Sequence, residues 1–257
     1  MGVGFVVSGL IVGFIVGVTG VGGGSLMTPI LLFFGISPAT AVGTDLLYAS
    51  ITKAGGVWVH HKHRNIDWKV TGLLAAGSVP ASMLTLWALH SLKADTAAIN
   101  GLIKHTLGVA LLLTAAAILA KPLIQKLSAN PAGFLKADSG QHLAATVTTG
   151  VVLGVIVTLS SIGAGALGTV ALFLLYPLIP TSRLVGTEIA HAVPLTMIAG
   201  LGHAGLGNLD WSVLSFLLMG SLPGIYIGSH LSGRLPDRFL RPLLALMLAL
   251  VGSKLVF

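Results

Sequence analysis

Six stretches of this chain, 38–60, 69–90, 99–120, 182–203, 211–231 and 238–256, are apolar over lengths that would carry a helix through a bilayer. Lipid offers no partner to backbone N–H and C=O groups, so such runs must satisfy them internally, as helices. Two further apolar stretches, 3–35 and 143–177, are interrupted by small residues. The first breaks at Gly20-Val21-Gly22-Gly23-Gly24-Ser25, the second at Ser160-Ser161-Ile162-Gly163-Ala164-Gly165. Only 8% of the 257 residues are charged, against about 25% in a soluble domain, so most of this surface cannot face water. The 34 glycines follow no three-residue period, which excludes collagen and suits closely packed membrane helices.

The net charge of +7 does not point to nucleic acid, because the basic residues sit in short loops between apolar runs rather than on one face or stripe. The absence of cysteine excludes disulfides, thiolate metal sites and a cysteine nucleophile. No Lys or Arg precedes Lys53, so the apolar start lacks the basic region of a signal peptide and reads as a first membrane segment.

An offset of 143 residues aligns Gly43–Pro80 with Gly186–Pro223 without a gap. Gly43-Thr44 falls on Gly186-Thr187, His60 on His203, and Asn65, Asp67 and Trp68 on Asn208, Asp210 and Trp211. Gly77, Ser78 and Pro80 fall on Gly220, Ser221 and Pro223, and Gly20 and Gly22 on Gly163 and Gly165. The chain is therefore expected to hold two repeats, 1–120 and 143–257, joined by a polar linker, 121–142.

Loop charge orients them. Lys62, Arg64 and Lys69 lie in the loop at 61–69, Lys121, Lys126 and Lys136 in the linker, and Arg234, Arg238 and Arg241 around 232–241. The equivalent loops at 204–210 and 91–98 carry none and only Lys93, respectively. Excess Lys and Arg mark the cytoplasmic side, so equivalent loops fall on opposite sides and the repeats are inverted. Each half then crosses an odd number of times: three spans, preceded by a broken or re-entrant helical hairpin that starts and ends on one side. Both termini are expected outside and the linker in the cytoplasm.

Inverted repeats with interrupted helices place a substrate site near the midplane, where irregular backbone can line a cavity. A half-helix starting after such a break aims free N–H groups and a positive dipole end at that cavity, which suits an anion. The expected substrate-binding set is Gly22, Gly23, Gly24, Ser25, Thr44, Ser160, Ser161, Gly163, Gly165 and Thr187. The glycines recurring every four residues at 9, 13 and 17 and at 220, 224 and 228 read instead as packing surfaces. Asp45 and Glu188, each following Gly-Thr, are candidates for proton coupling, since intramembrane carboxylates are costly, or else cap a helix end. Lys53, the basic residue well inside a span, either attracts an anion or balances a carboxylate on another helix, such as Glu188, or snorkels to the interface. His191 is a secondary candidate beside Glu188. His60, His61 and His63 do not share one helical face and have no acidic companion, so a metal site is not expected, nor is a cofactor. The Asp67-Trp68 and Asp210-Trp211 turns read as helix starts at the membrane interface.

At Gly20-Val21-Gly22-Gly23-Gly24 with Pro29, at Ala41-Val42-Gly43-Thr44, at Asp67-Trp68 and at Gly77-x-x-Pro80, the chain resembles the TauE/SafE family of sulfite exporters and organosulfonate permeases. The resemblance implies a multi-pass carrier of the bacterial inner (plasma) membrane that moves a small sulfur-containing or related organic anion using protons. Two departures stand out: the second break lacks the triple glycine, and Ala81 stands where Gly224 does. A passive anion channel would share the broken helices, although fixed carboxylates hinder an anion pore. An intramembrane hydrolase using Ser25 or Ser160 with His191 has no nucleophile motif around it. A membrane subunit for a partner protein is a further reading, and the oligomeric state stays open.

Overall fold

The computed structural model describes residues 2–19, 24–91, 96–128, 140–231 and 237–256, and every regular element among them is a helix. In chain order these are α1 (Gly2–Thr19), α2 (Gly24–Phe33), α3 (Pro38–Lys62), α4 (Trp68–Ser91), α5 (Thr96–Ser128), α6 (Gly140–Ser160), α7 (Ala166–Leu175), α8 (Thr181–Gly205), α9 (Trp211–Leu231) and α10 (Asp237–Val256). Among the described residues, five helices are both long and apolar enough to cross a membrane: α4, α5, α6, α8 and α9. α3 matches them in length but is more polar, since it carries Asp45, Lys53, His60, His61 and Lys62.

Local chemistry explains where these helices start. α3 opens on Pro38, with the Ser37 hydroxyl accepting the Thr40 N–H at 3.3 Å. α4 and α9 open after the paired aspartates: Asp67 accepts the Val70 N–H at 3.3 Å and Asp210 the Val213 N–H at 2.9 Å. The helical boundaries trim the expected linker, because α5 continues through Lys121–Ser128 and α6 begins at Gly140. Pro122 near the end of α5 costs one backbone hydrogen bond without ending the helix.

α2 and α7 are ten residues each, ~15 Å of helix, about half of a hydrocarbon core. The expected hairpins are therefore a long helix followed by a half-length one. In the second of them the ends lie side by side: His142 Nε2 is 2.8 Å from Leu175 O, and Thr146 Oγ1 is 2.8 Å from the Tyr176 hydroxyl.

The helices pair by exchanging halves. α1 packs on α9 and α4 on α6, and those two pairs are each other's repeat counterparts. α3 packs on its own counterpart α8, and α5 on α10. The first two pairs are glycine seams between parallel helices. A methyl at Gly13 would lie 2.5 Å from Ser221 O, and one at Gly224 would lie 2.4 Å from Leu10 O. On the α4–α6 side, Gly154 meets Ser78 O at 2.5 Å in the same sense. Small residues thus allow backbone-to-backbone contact that larger side chains would prevent.

α3 and α8 run antiparallel. Gly43, early in α3, faces His203 and Asn208 at the end of α8, while Gly186, early in α8, faces His60 and Asn65 at the end of α3. Midway, the Ser50 hydroxyl donates to Val193 O at 3.1 Å, and Val193 is the repeat counterpart of Ser50. Polar groups are buried within the apolar core and apolar ones are exposed: Thr28, Thr44, Asp45, Ser50, Ser78, Ser82, Thr158 and Thr187 are fully buried, whereas Val3, Phe33, Leu84, Leu119 and Leu250 are exposed. Trp58, Trp68, Trp87 and Trp211 are exposed as well, each within a few residues of a helix end. An apolar exterior suits a lipid surrounding, and the chain is an all-α polytopic membrane protein.

Candidate functional site

Three charged side chains lie buried on the two central helices. Asp45 projects from α3 toward α2, where one carboxylate oxygen accepts the Thr28 N–H at 3.2 Å and also the Thr28 hydroxyl. Its other oxygen, Oδ1, has no hydrogen-bond partner. Ser161, in the second break, stands beside Asp45 with its hydroxyl toward the carboxyl and its backbone in the left-handed region, φ +58°.

Lys53 lies two helical turns beyond Asp45, and its ammonium donates to Ala164 O, a carbonyl of the same break. The carboxylates near enough to act on its charge are Glu188 and Asp45. Glu188 comes from α8 and packs against α7: a methyl at Gly168 would lie 3.0 Å from Glu188 Cγ. Its Oε1 is buried without a partner. The two central helices thus bring one cation and two carboxylates onto the break at 160–165, with a half-helix beside each carboxylate. Lys53 makes its hydrogen bond to the Ala164 carbonyl, with Glu188 as a nearby opposite charge on the other central helix. Its counterpart in the other half is Thr196, so the lysine is not repeated.

The remaining expected residues divide. Gly163 takes φ +118° and Gly165 caps α7, so the break uses glycine where the chain turns. Ser160 is held locally, donating to Ile156 O at 2.6 Å and accepting the Ile162 N–H at 3.1 Å. Thr44 and Thr187 point away from the charged cluster. Thr187 Oγ1 accepts the Asp67 N–H at 2.8 Å and donates to Arg183 O at 2.7 Å, and Thr44 Oγ1 accepts the Asp210 N–H at 3.1 Å. Each threonine holds the turn of the other half, because it lies ~100° around the helix from the carboxylate that follows it. Gly22 and Gly23 lie outside the described residues, and Gly24 and Ser25 open α2.

His191 is 2.8 Å from Ser78 Oγ through Nε2, while Nδ1 has no partner. Among the described residues no carboxylate stands behind the ring, so the third member of a Ser–His–Asp arrangement is not among them. A buried polar seam continues along α4 and α6: Thr158 Oγ1 donates to Ser82 Oγ at 2.8 Å, and His203 Nε2 is 2.9 Å from Thr158 O. Sequence reasoning missed Thr28, Ser82 and Thr158, which carry no motif. Ser78 was visible as a repeated position but without a chemical role.

The family described as Sulfite exporter TauE/SafE matches residues 5–255. The chain belongs to this family. A probable membrane transporter protein of Bacillus subtilis, YjnA, is 41% identical over 257 residues, covering all of both chains. A second from the same organism, YdhB, is 29% identical over 96% of this chain and 97% of its own. A probable membrane transporter protein of Methanocaldococcus jannaschii is 27% identical over 95% of this chain and 92% of its own. No solved structure matches the chain. Family membership and the apolar helices together make the chain a multi-pass membrane transporter of the TauE/SafE family.

Proposed function

We propose that this chain is a secondary transporter that moves a small anion, such as sulfite, a sulfonate or a related organic anion, across the inner membrane together with protons. The observation that carries the reading is the buried trio of Lys53, Asp45 and Glu188 gathered on the broken segment 160–165. With all three ionised, the trio carries one net negative charge in a setting where uncompensated charge is expensive. An anion entering beside Lys53 adds a second negative charge, which a proton on either carboxylate offsets. Binding of anion and proton thereby favour each other, and that is the basis of coupling. Asp45 and Glu188 serve as the proton sites, Lys53 and the break as the anion site. The positive end of the α7 dipole, which no side chain caps, and the Ser161 hydroxyl beside Asp45 support anion binding.

Orientation enters the same reading. The antiparallel crossing of α3 and α8 and the charge of the loops support inverted halves, a cytoplasmic segment at 121–142 and both termini outside. Thr44 and Thr187, taken up by the turns, are set apart from the proposed anion site.

The test is uptake of labelled sulfite, sulfate and a small sulfonate into proteoliposomes, with and without a pH gradient. Gradient-driven accumulation of one of these is expected, and Lys53→Met should lower it by about tenfold or more, the scale of one lost charge-assisted contact. Asp45→Asn or Glu188→Gln should abolish the response to the gradient. Anion flux indifferent to the gradient would replace this reading with a passive channel.

A further inference from the structure

The turn between α3 and α4 borders a cavity apart from the buried trio. Arg64 sits there at φ +56°, in the left-handed region that side chains disfavour. Its repeat counterpart, Gly207, takes φ +79°. The two turns share a backbone form for which glycine is the natural residue, and an arginine costs about 1 kcal/mol there. The position closes the end of α3, with the Asn65 N–H donating to His60 O at 2.9 Å, and such residues are enriched at binding sites.

Around Arg64 is a cavity of ≈ 340 Å³ lined by His61, Arg64, Ile66, Trp68 and Arg183. Arg183 reaches it from the start of α8, held by Asp67 at 2.9 Å, with its side chain still 47% exposed. One carboxylate oxygen takes up only part of a five-donor guanidinium. Among the described residues no carboxylate pairs with Arg64. The Lys62 ammonium is drawn away onto the Trp58 ring, 3.8 Å from its centroid. Ile66 is buried and forms the floor, and the exposed Trp68 forms an apolar wall, with the His61 ring edge-on to it at 5.7 Å. The other half has none of the three basic groups: His61, Arg64 and Arg183 correspond to Ala204, Gly207 and Thr40. A general excess of positive charge on one side accounts for loop lysines, but not for a guanidinium kept on strained backbone at the edge of a cavity.

We propose that this cavity binds a phosphate group, presented by an anionic lipid headgroup or arriving as free phosphate. Two guanidinium forks match the oxygens of a phosphate, and an exposed indole beside them sits at headgroup level. The apolar floor and wall suit the glycerol and first methylenes of a lipid.

The experiment compares thermal unfolding of wild type and Arg64→Gly in phosphatidylcholine nanodiscs, with and without phosphatidylglycerol. Glycine suits the backbone, so the variant should unfold no earlier than wild type in phosphatidylcholine alone. Phosphatidylglycerol should raise the wild-type midpoint, and Arg64→Gly should lose that rise. A separate arm adds inorganic phosphate to phosphatidylcholine samples against chloride of equal ionic strength. A rise there assigns the site to free phosphate, and a rise with phosphatidylglycerol alone assigns it to lipid. The same midpoint for wild type in all conditions, or a rise that Arg64→Gly keeps, would overturn the proposal.

Discussion

Gly43 and Gly186 sit where the two central helices leave almost no room for a side chain. A methyl at Gly43 would lie 1.9 Å from Asn208 O, and one at Gly186 would lie 2.0 Å from Asn65 O. In both cases the obstacle is backbone, which cannot swing aside as a side chain can. Gly43→Ala and Gly186→Ala should each destabilise the protein by ~3 kcal/mol, the upper range for overpacking. Gly55, in the same helix with nothing within 4 Å, is the control, and Gly55→Ala should shift stability by less than ~1 kcal/mol. Midpoints of thermal unfolding in detergent would show the contrast. At this scale the sequence was only half legible. The repeat marked Gly43-Thr44 and Gly186-Thr187 as important, but not which way each threonine would face. That depends on a crossing between residues 120 and 166 positions apart. Lys53 could be named as a buried cation, but its carbonyl partner Ala164 belongs to another part of the chain and carries no sequence mark.

At the scale of elements, the glycine seam joining α1 to α9 governs close packing. Gly220, Gly224 and Gly228 of α9 lie against Val6, Leu10 and Phe14 of α1, each facing backbone atoms. Gly224→Leu should force the two helices apart. The expected result is loss of the monodisperse peak on size exclusion, or a midpoint lowered by several degrees, with Gly72→Leu, on the open face of α4, nearly silent. The helices themselves were legible, because apolar runs of that length admit little else in lipid. The hairpins were less so. Parity required each to return to its own side, but only the fold separates a long helix from a half-length one. The four-residue glycine spacing identified the packing faces, yet not that each face would be met by a helix of the other half.

For the whole molecule, the exchange of helices between halves and the antiparallel crossing at Ser50 support two inverted units. A chain without cysteine is a ready background for testing this. Gly207→Cys should react in intact cells with a maleimide that cannot cross the membrane, and His63→Cys only after the cells are opened. Labelling of both from the same side would refute the inversion. The exchange also has a consequence for how the protein is made. α1 leaves the ribosome well before α9, and the helix that covers its glycines follows about 200 residues later, roughly 10–40 s at ordinary rates of synthesis. For that time α1 must wait in the bilayer with its notched face against lipid, whereas α4 meets α6 much sooner. Completion of the protein is thus tied to α9, and a ribosome that stops short of it leaves the opening helix without the surface it is shaped to fit.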